Sequence, residues 1–125
     1  LDPITPGAAT FAVPFVLAIP YSNLPATGQD IFTDNAPFAF RVIDAYALNT
    51  SGTAGTIAVH KGKIGALGNA ITDVMTVAAG DKTIVRATTI DDAEHSIAAN
   101  GSLCLVGDGG AAIDGIAYIT CIRVN

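Results

Sequence analysis

Asp91, Asp92, Glu94 and His95 form the densest cluster of titratable side chains in the chain. Such a group could hold a hard cation through carboxylate oxygens, or work as an acid–base pair. A calcium loop needs oxygen ligands at regular alternate positions over about twelve residues, and the flanking sequence does not supply them. The same stretch has the spacing of an acidic helix cap, with Glu94 three residues after Asp91. A single helical turn with solvated charges is the expectation. His60 stands beside Lys61, with Lys63 close behind. A catalytic histidine needs a nucleophile and an orienting carboxylate. No GxSxG elbow or comparable motif accompanies it, so it reads as an exposed histidine at a strand end. Gly107-Asp108-Gly109-Gly110 could cradle a phosphate if Lys and Ser/Thr opened a helix after it. A strand-like run follows instead, and the loop carries an acid, so it reads as a hairpin turn. Cys104 and Cys121 each lie in an apolar run and read as buried thiols. Spacing alone leaves a disulfide between neighbouring strands open. No CxxC or Cys/His cluster supports zinc. The sequence thus predicts no catalytic residue, no cofactor and no metal site, and not an enzyme.

The elements that would position these residues are strands. The chain has 125 residues, the usual size of one domain, and can bury a core without a disulfide or metal. Half of it is apolar, but 14% is charged, against about 25% in a typical soluble domain. Mean hydropathy is +0.50. So few charges imply that part of the surface is covered by partners. The net charge is −5, with the six cations scattered over positions 41–123, which argues against nucleic acid and anionic membranes as partners. The longest apolar run, 11–19, is too short to span a bilayer as a helix, and no basic residue precedes it as in a signal peptide. The sequence opens on Leu1 rather than Met, so an upstream segment is expected.

Prolines 3, 6, 14, 20 and 25 keep the first 35 residues from being a central strand throughout. Residues 1–14 read as an extended arm, and 15–125 as a single β-sandwich domain with an edge strand at 15–19. Turns are expected at 26–30, 34–37 and 61–68. Phe38, Phe40, Val42, Asp44 and Tyr46 should share one face of a strand, with Ala39, Arg41, Ile43, Ala45 and Ala47 on the other. Both faces are largely apolar, so that strand is central or has its outer face covered. Strands follow around Ile57 and Val59, then at 71–77 and 83–90 as a hairpin, at 102–106, and at 113–124 with Gly115 as a possible bulge. About eight strands with regular turns predict an all-β, antiparallel, jelly-roll-like β-sandwich. All five phenylalanines lie in the first third. They suit a core, and some suit anchors for a subunit or scaffold contact. Phe11, Phe15, Leu17, Phe38, Phe40 and Tyr46 are the candidate interface residues.

Five pieces of the chain carry a family resemblance: Arg41-Val42-Ile43-Asp44-Ala45-Tyr46; Gly55-Thr56-Ile57-Ala58-Val59-His60-Lys61-Gly62; Ala70-Ile71-Thr72-Asp73; Asp81-Lys82-Thr83-Ile84-Val85-Arg86-Ala87-Thr88-Thr89-Ile90-Asp91-Asp92-Ala93; and Ile97-Ala98-Ala99-Asn100-Gly101-Ser102-Leu103. Together they resemble small capsid decoration, or cement, proteins of tailed bacteriophages. The resemblance implies a jelly roll on the outer surface of an assembled capsid, bridging capsomers. The implied partners are the major capsid protein and further copies of the chain, as a homo-dimer or homo-trimer. The implied location is the bacterial cytoplasm during assembly and the virion afterwards, which agrees with reading the cysteines as thiols. The competing expectation is a carbohydrate- or receptor-binding jelly roll of a viral fibre or head appendage. The lack of Trp weighs against it.

Overall fold

The computed structural model describes residues 13–80, 83–109 and 113–124. Among these, ten strands form two antiparallel sheets packed face to face, an all-β sandwich. The strands are β1 (Pro14–Ser22), β2 (Gln29–Phe32), β3 (Phe40–Asn49), β4 (Gly55–Lys63) and β5 (Ala66–Ala70), then β6 (Met75–Val77), β7 (Thr83–Arg86), β8 (Ser96–Ile97), β9 (Leu103–Gly107) and β10 (Asp114–Arg123). Sheet A runs β1-β10-β3-β7, with β8 also on β3; sheet B runs β2-β9-β4-β5, with β6 also on β4. The pairs are nested, first with last: β1 with β10, β2 with β9, β3 with β7, β4 with β5. The chain is one long hairpin rolled on itself, which is jelly-roll connectivity.

The core lies between the sheets. Val42, Ala45, Ala47, Ala117 and Ile119 come from sheet A; Ile57, Val59, Leu103, Leu105 and Met75 come from sheet B. Inward residues alternate along β10 without interruption, but β3 breaks step. Thr120 pairs with Asp44 and Cys121 with Val42, leaving Ile43 as an extra residue. This bulge shifts the inward set from Phe40 and Val42 to Ala45, Ala47 and Asn49. The expected single face from Phe38 to Tyr46 is therefore corrected: Asp44 and Tyr46 point out. Phe38 itself sits in the loop before β3.

Other expectations also change. Gly115 is not bulged, since it pairs in register with Tyr21 and Asn49. The turn expected at 26–30 ends in β2, and the glycine-rich 61–68 region is the β4–β5 hairpin. The β6 and β7 segments belong to different sheets and are no hairpin. At 91–94 the Asp91 carboxylate accepts the Ala93 amide at 2.9 Å, and Glu94 N–H donates to the Asp91 carbonyl at 3.0 Å. This is the single capped turn expected there, with Asp91 and Asp92 exposed. The predicted arm, apart from Val13 and Pro14, lies outside the described residues, and Pro14 already belongs to β1.

β1 is an edge strand, as the prolines require. Pro14 and Pro20 share one parity along it. Lacking N–H groups, they must occupy positions whose polar groups turn away from β10. The Pro20 carbonyl does so, accepting from the Gln29 side-chain amide at 2.8 Å. Between the prolines, the open edge offers amides at Val16 and Ala18 alone. An edge so blunted is a poor template for another strand.

Candidate interaction surfaces

The two outer sheet faces differ. Over sheet B the β4–β5 hairpin folds back. Ile64 N–H donates to the Asp30 carboxylate at 2.9 Å, Lys63 pairs with Asp34, and Leu67 lies against Gly28 beside Val106. β4 and β2 are separated by β9 in the sheet, so the hairpin tip reaches across the outer face to make these contacts. That cover explains why Cys104, on an outward position of β9, is fully buried.

No described segment crosses sheet A in this way. Its outer face is laid out in rows across the strands. One row is Pro20, Ile116, Leu48 and Ile84; the next is Ala18, Tyr118, Tyr46 and Arg86. Val16 follows, 56% exposed, then Thr120 and Asp44. Ile84 is 65% exposed. Tyr46 and Tyr118 stack at 4.9 Å between ring centroids, and the Arg86 guanidinium sits 5.4 Å from the Tyr46 centroid on the opposite side. Arg86 also pairs with Asp44 at 3.5 Å. Antiparallel sheets normally turn a polar face to water; this one exposes Val16 and Ile84 beside half-buried Leu48, Ile116, Tyr46 and Tyr118.

A second apolar feature opens at the β1–β2 side of the sandwich. Phe15, Leu17, Phe32, Pro37, Phe38 and Phe40 line a cavity of about 200 Å³. The rings meet edge to face: Phe15 with Phe38 at 5.5 Å and with Phe40 at 5.9 Å, and Phe32 with Phe40 at 5.9 Å. The Arg123 guanidinium lies 4.5 Å over the Phe38 ring.

The sequence-predicted interface residues thus separate. Phe15, Leu17 and Phe38 are half-buried at the cavity. Phe40 is 1% exposed and belongs to the core, because it precedes the β3 bulge on the inward side; it has no surface to offer a partner. Tyr46 is on the outer face of sheet A. Phe11 lies outside the described residues. Val16, Leu48, Ile84, Ile116 and Tyr118 went unselected. Ile116, Tyr118 and Ile122 against Ala117, Ile119 and Cys121 repeat the two-sided apolar pattern noted for β3, and that pattern could have found them.

Among the described residues, a cysteine, a histidine and an acid meet on sheet B. Register places Cys104 between Asp30 and His60. A cysteine nucleophile needs the histidine in the middle, oriented by the acid. Here the thiol is in the middle. His60 Nδ1 is engaged with the Gly68 carbonyl at 3.1 Å. Burial, with Asp30 adding to it, pushes the Cys104 thiol up to about 11. Burial pushes Cys121 up to about 12. Both cysteines are free. Native protein at pH about 8 should therefore react with a thiol reagent at least about a hundredfold more slowly than the denatured chain, because the thiolate is the reactive form. Two thiols titrating rapidly without denaturant would contradict this burial. His95 stands elsewhere, with Arg41, Ile43 and Asp92 around a shallow cavity. Among the described residues, no group of three or more His, Cys, Asp and Glu side chains is placed to hold a metal ion. Gly107 is required by packing: a Cβ there would lie 2.5 Å from the Leu24 carbonyl oxygen.

The fold and its surfaces define a jelly-roll β-sandwich with one self-covered and one bare apolar sheet. No family model matches the chain, and no curated protein does. A solved structure described as "Bacillus endospore appendages form a novel family of disulfide-linked pili" is similar over 90% of this chain and 88% of its own, at 16% identity and a TM-score of 0.43. A likeness this loose carries no weight for function.

Proposed function

We propose that this chain is a non-catalytic structural protein of a phage virion, a decoration protein that binds the outside of the assembled capsid and bridges capsomers. The observation that carries the reading is the largely apolar outer face of sheet A, with Val16 and Ile84 exposed, on a chain with few charges. A surface of this kind marks contact with other protein. The resemblance of the five sequence pieces supplies the phage capsid as the setting. The partners are the major capsid protein and further copies of the chain, rather than nucleic acid or lipid. Two buried free thiols suit synthesis in a reducing bacterial cytoplasm.

The action is mechanical. Each contact is weak, but a multimer held at several points gains avidity. Binding that exists only on the assembled shell stabilises the shell by mass action. A glycan-binding role draws no support from Tyr46, whose ring is flanked by Tyr118 on one side and Arg86 on the other.

The test uses shells assembled from the major capsid protein of the same phage, with and without this chain. The chain is expected to sediment with assembled shells, to ignore unassembled capsid protein, and to raise the temperature at which shells disrupt. A well-folded chain that never sediments with shells rejects the reading.

A further inference from the structure

We propose that the occupant of the bare face of sheet A is a second copy of this chain, packed face to face about a two-fold axis. This rests on the reading of that face as an interaction surface and names its partner. Three observations select a second copy.

The first is area. The outer face spans strands of nine, ten, ten and four residues. At a rise of about 3.3 Å and a spacing of about 4.8 Å, that is roughly 500 Å² of sheet plane per copy. Two copies bury about 1,000 Å² in projection, which reaches the threshold for a specific interface.

The second is charge. Among the described residues the face carries Arg41 and Arg86 against Asp44 and Asp114, and these cancel, while the whole chain carries −5. Two copies can therefore meet here with no net charge on either face. A strongly acidic or basic partner would find no complement.

The third is relief. The stacked Tyr46 and Tyr118 form a ridge, and Ala18 and Pro20 on β1 leave a trough beside it. A two-fold axis puts the ridge of each copy into the trough of the other, the self-complementarity that an isologous contact needs. Two sheets in this arrangement stack about 10 Å apart, like the sheets inside a sandwich. Edge pairing through β1, which borders this face, is obstructed by Pro14 and Pro20.

Sedimentation velocity tests this from about 1 to about 200 µM, a range that brackets the micromolar affinity an interface of this size commonly has. The wild-type chain should reach twice its monomer mass. Ala18→Glu and Ile84→Glu, at exposed positions on different strands, should each weaken dimerisation at least about tenfold by placing like charges in the contact. Ile64→Glu, on the hairpin over sheet B, should dimerise as wild type. Circular dichroism spectra matching wild type, with melting compared at a concentration where all are monomeric, certify the fold of each variant. A wild-type chain that stays monomeric throughout, a three-copy mass, or dimers indifferent to both charges overturns the proposal. Shell binding separates the two readings. A monomer whose attachment to shells is lost in Ala18→Glu overturns the second copy and leaves the decoration role standing. A face-dependent dimer that never binds shells supports the second copy and overturns the decoration role.

Discussion

Gly115→Ala should cost on the order of 4 kcal/mol or more, a large part of the about 5–15 kcal/mol that holds a domain folded. A Cβ at Gly115 would lie 1.9 Å from the Leu48 carbonyl oxygen and 2.8 Å from the Tyr21 hydroxyl. Neither neighbour is the far end of a flexible side chain free to swing away. The Leu48 carbonyl belongs to β3, the strand paired with β10, and Tyr21 is buried on β1 with its hydroxyl donating to that same carbonyl at 3.0 Å. Burial, with Asp114 nearby, pushes the Tyr21 hydroxyl up to about 12, so it remains a donor at any ordinary pH. The added methyl must therefore separate two strand pairs at once or break the tyrosine bond. The variant is expected to be largely insoluble, or to melt roughly 15 °C or more below wild type. A melting temperature within a few degrees of wild type would show that the three strands can part without penalty.

Phe40→Ala should cost about 3–5 kcal/mol, the range for emptying an aromatic site in a packed core. Phe40 touches Phe15, Phe32 and Phe38 edge to face, so the loss includes ring contacts as well as buried area. The space opened would join the existing cavity of about 200 Å³ rather than close over. Equilibrium unfolding in urea should show the midpoint falling with little change in slope. Tyr118→Ala offers the contrast, because that ring is stacked on the outer face and its removal should cost about 0.5–1.5 kcal/mol of pair energy. Equal losses at the two positions would mean that the outer aromatic row is structural in the monomer.

The sandwich class was legible because most strands announce themselves by β-branched residues and punctuating turns. Residues 102–106 and 113–124 read as strands close to their true bounds, and β1 was placed at the edge from its prolines. What failed was local. The β3 bulge at Ile43 has no marker, since Ile is a good strand residue and both phases of 38–47 are apolar. Without the bulge, Phe40 and Tyr46 appear to share a face; with it they point opposite ways. Gly115 illustrates the reverse error. A glycine inside a strand is compatible with a bulge or with the close approach of another backbone, and the second applies because Leu48 and Tyr21 arrive from strands distant in sequence. Sheet membership was equally hidden: the Ala78-Ala79-Gly80-Asp81 joint reads as a hairpin turn, yet the flanking strands β6 and β7 lie in different sheets. The cover over Cys104 depends on Ile64, Lys63 and Leu67 reaching back over β9 toward β2, a long-range event no window of sequence encodes.

The nesting of first strand with last also sets a timetable for synthesis. β1 begins at residue 14 and its partner β10 ends at residue 123. At about 5–20 residues per second, roughly 5–20 s pass between the emergence of one and the completion of the other. During that interval β1 is an apolar strand with no native neighbour, and β2 waits likewise for β9. Closure of the roll becomes a late event whose contacts join strands far apart in sequence, which slows folding relative to a fold built from local pairs. The prolines at 14 and 20 then have a role before the native state exists. On a crowded polysome they leave the waiting strand few amides with which to capture the strand of a neighbouring nascent chain.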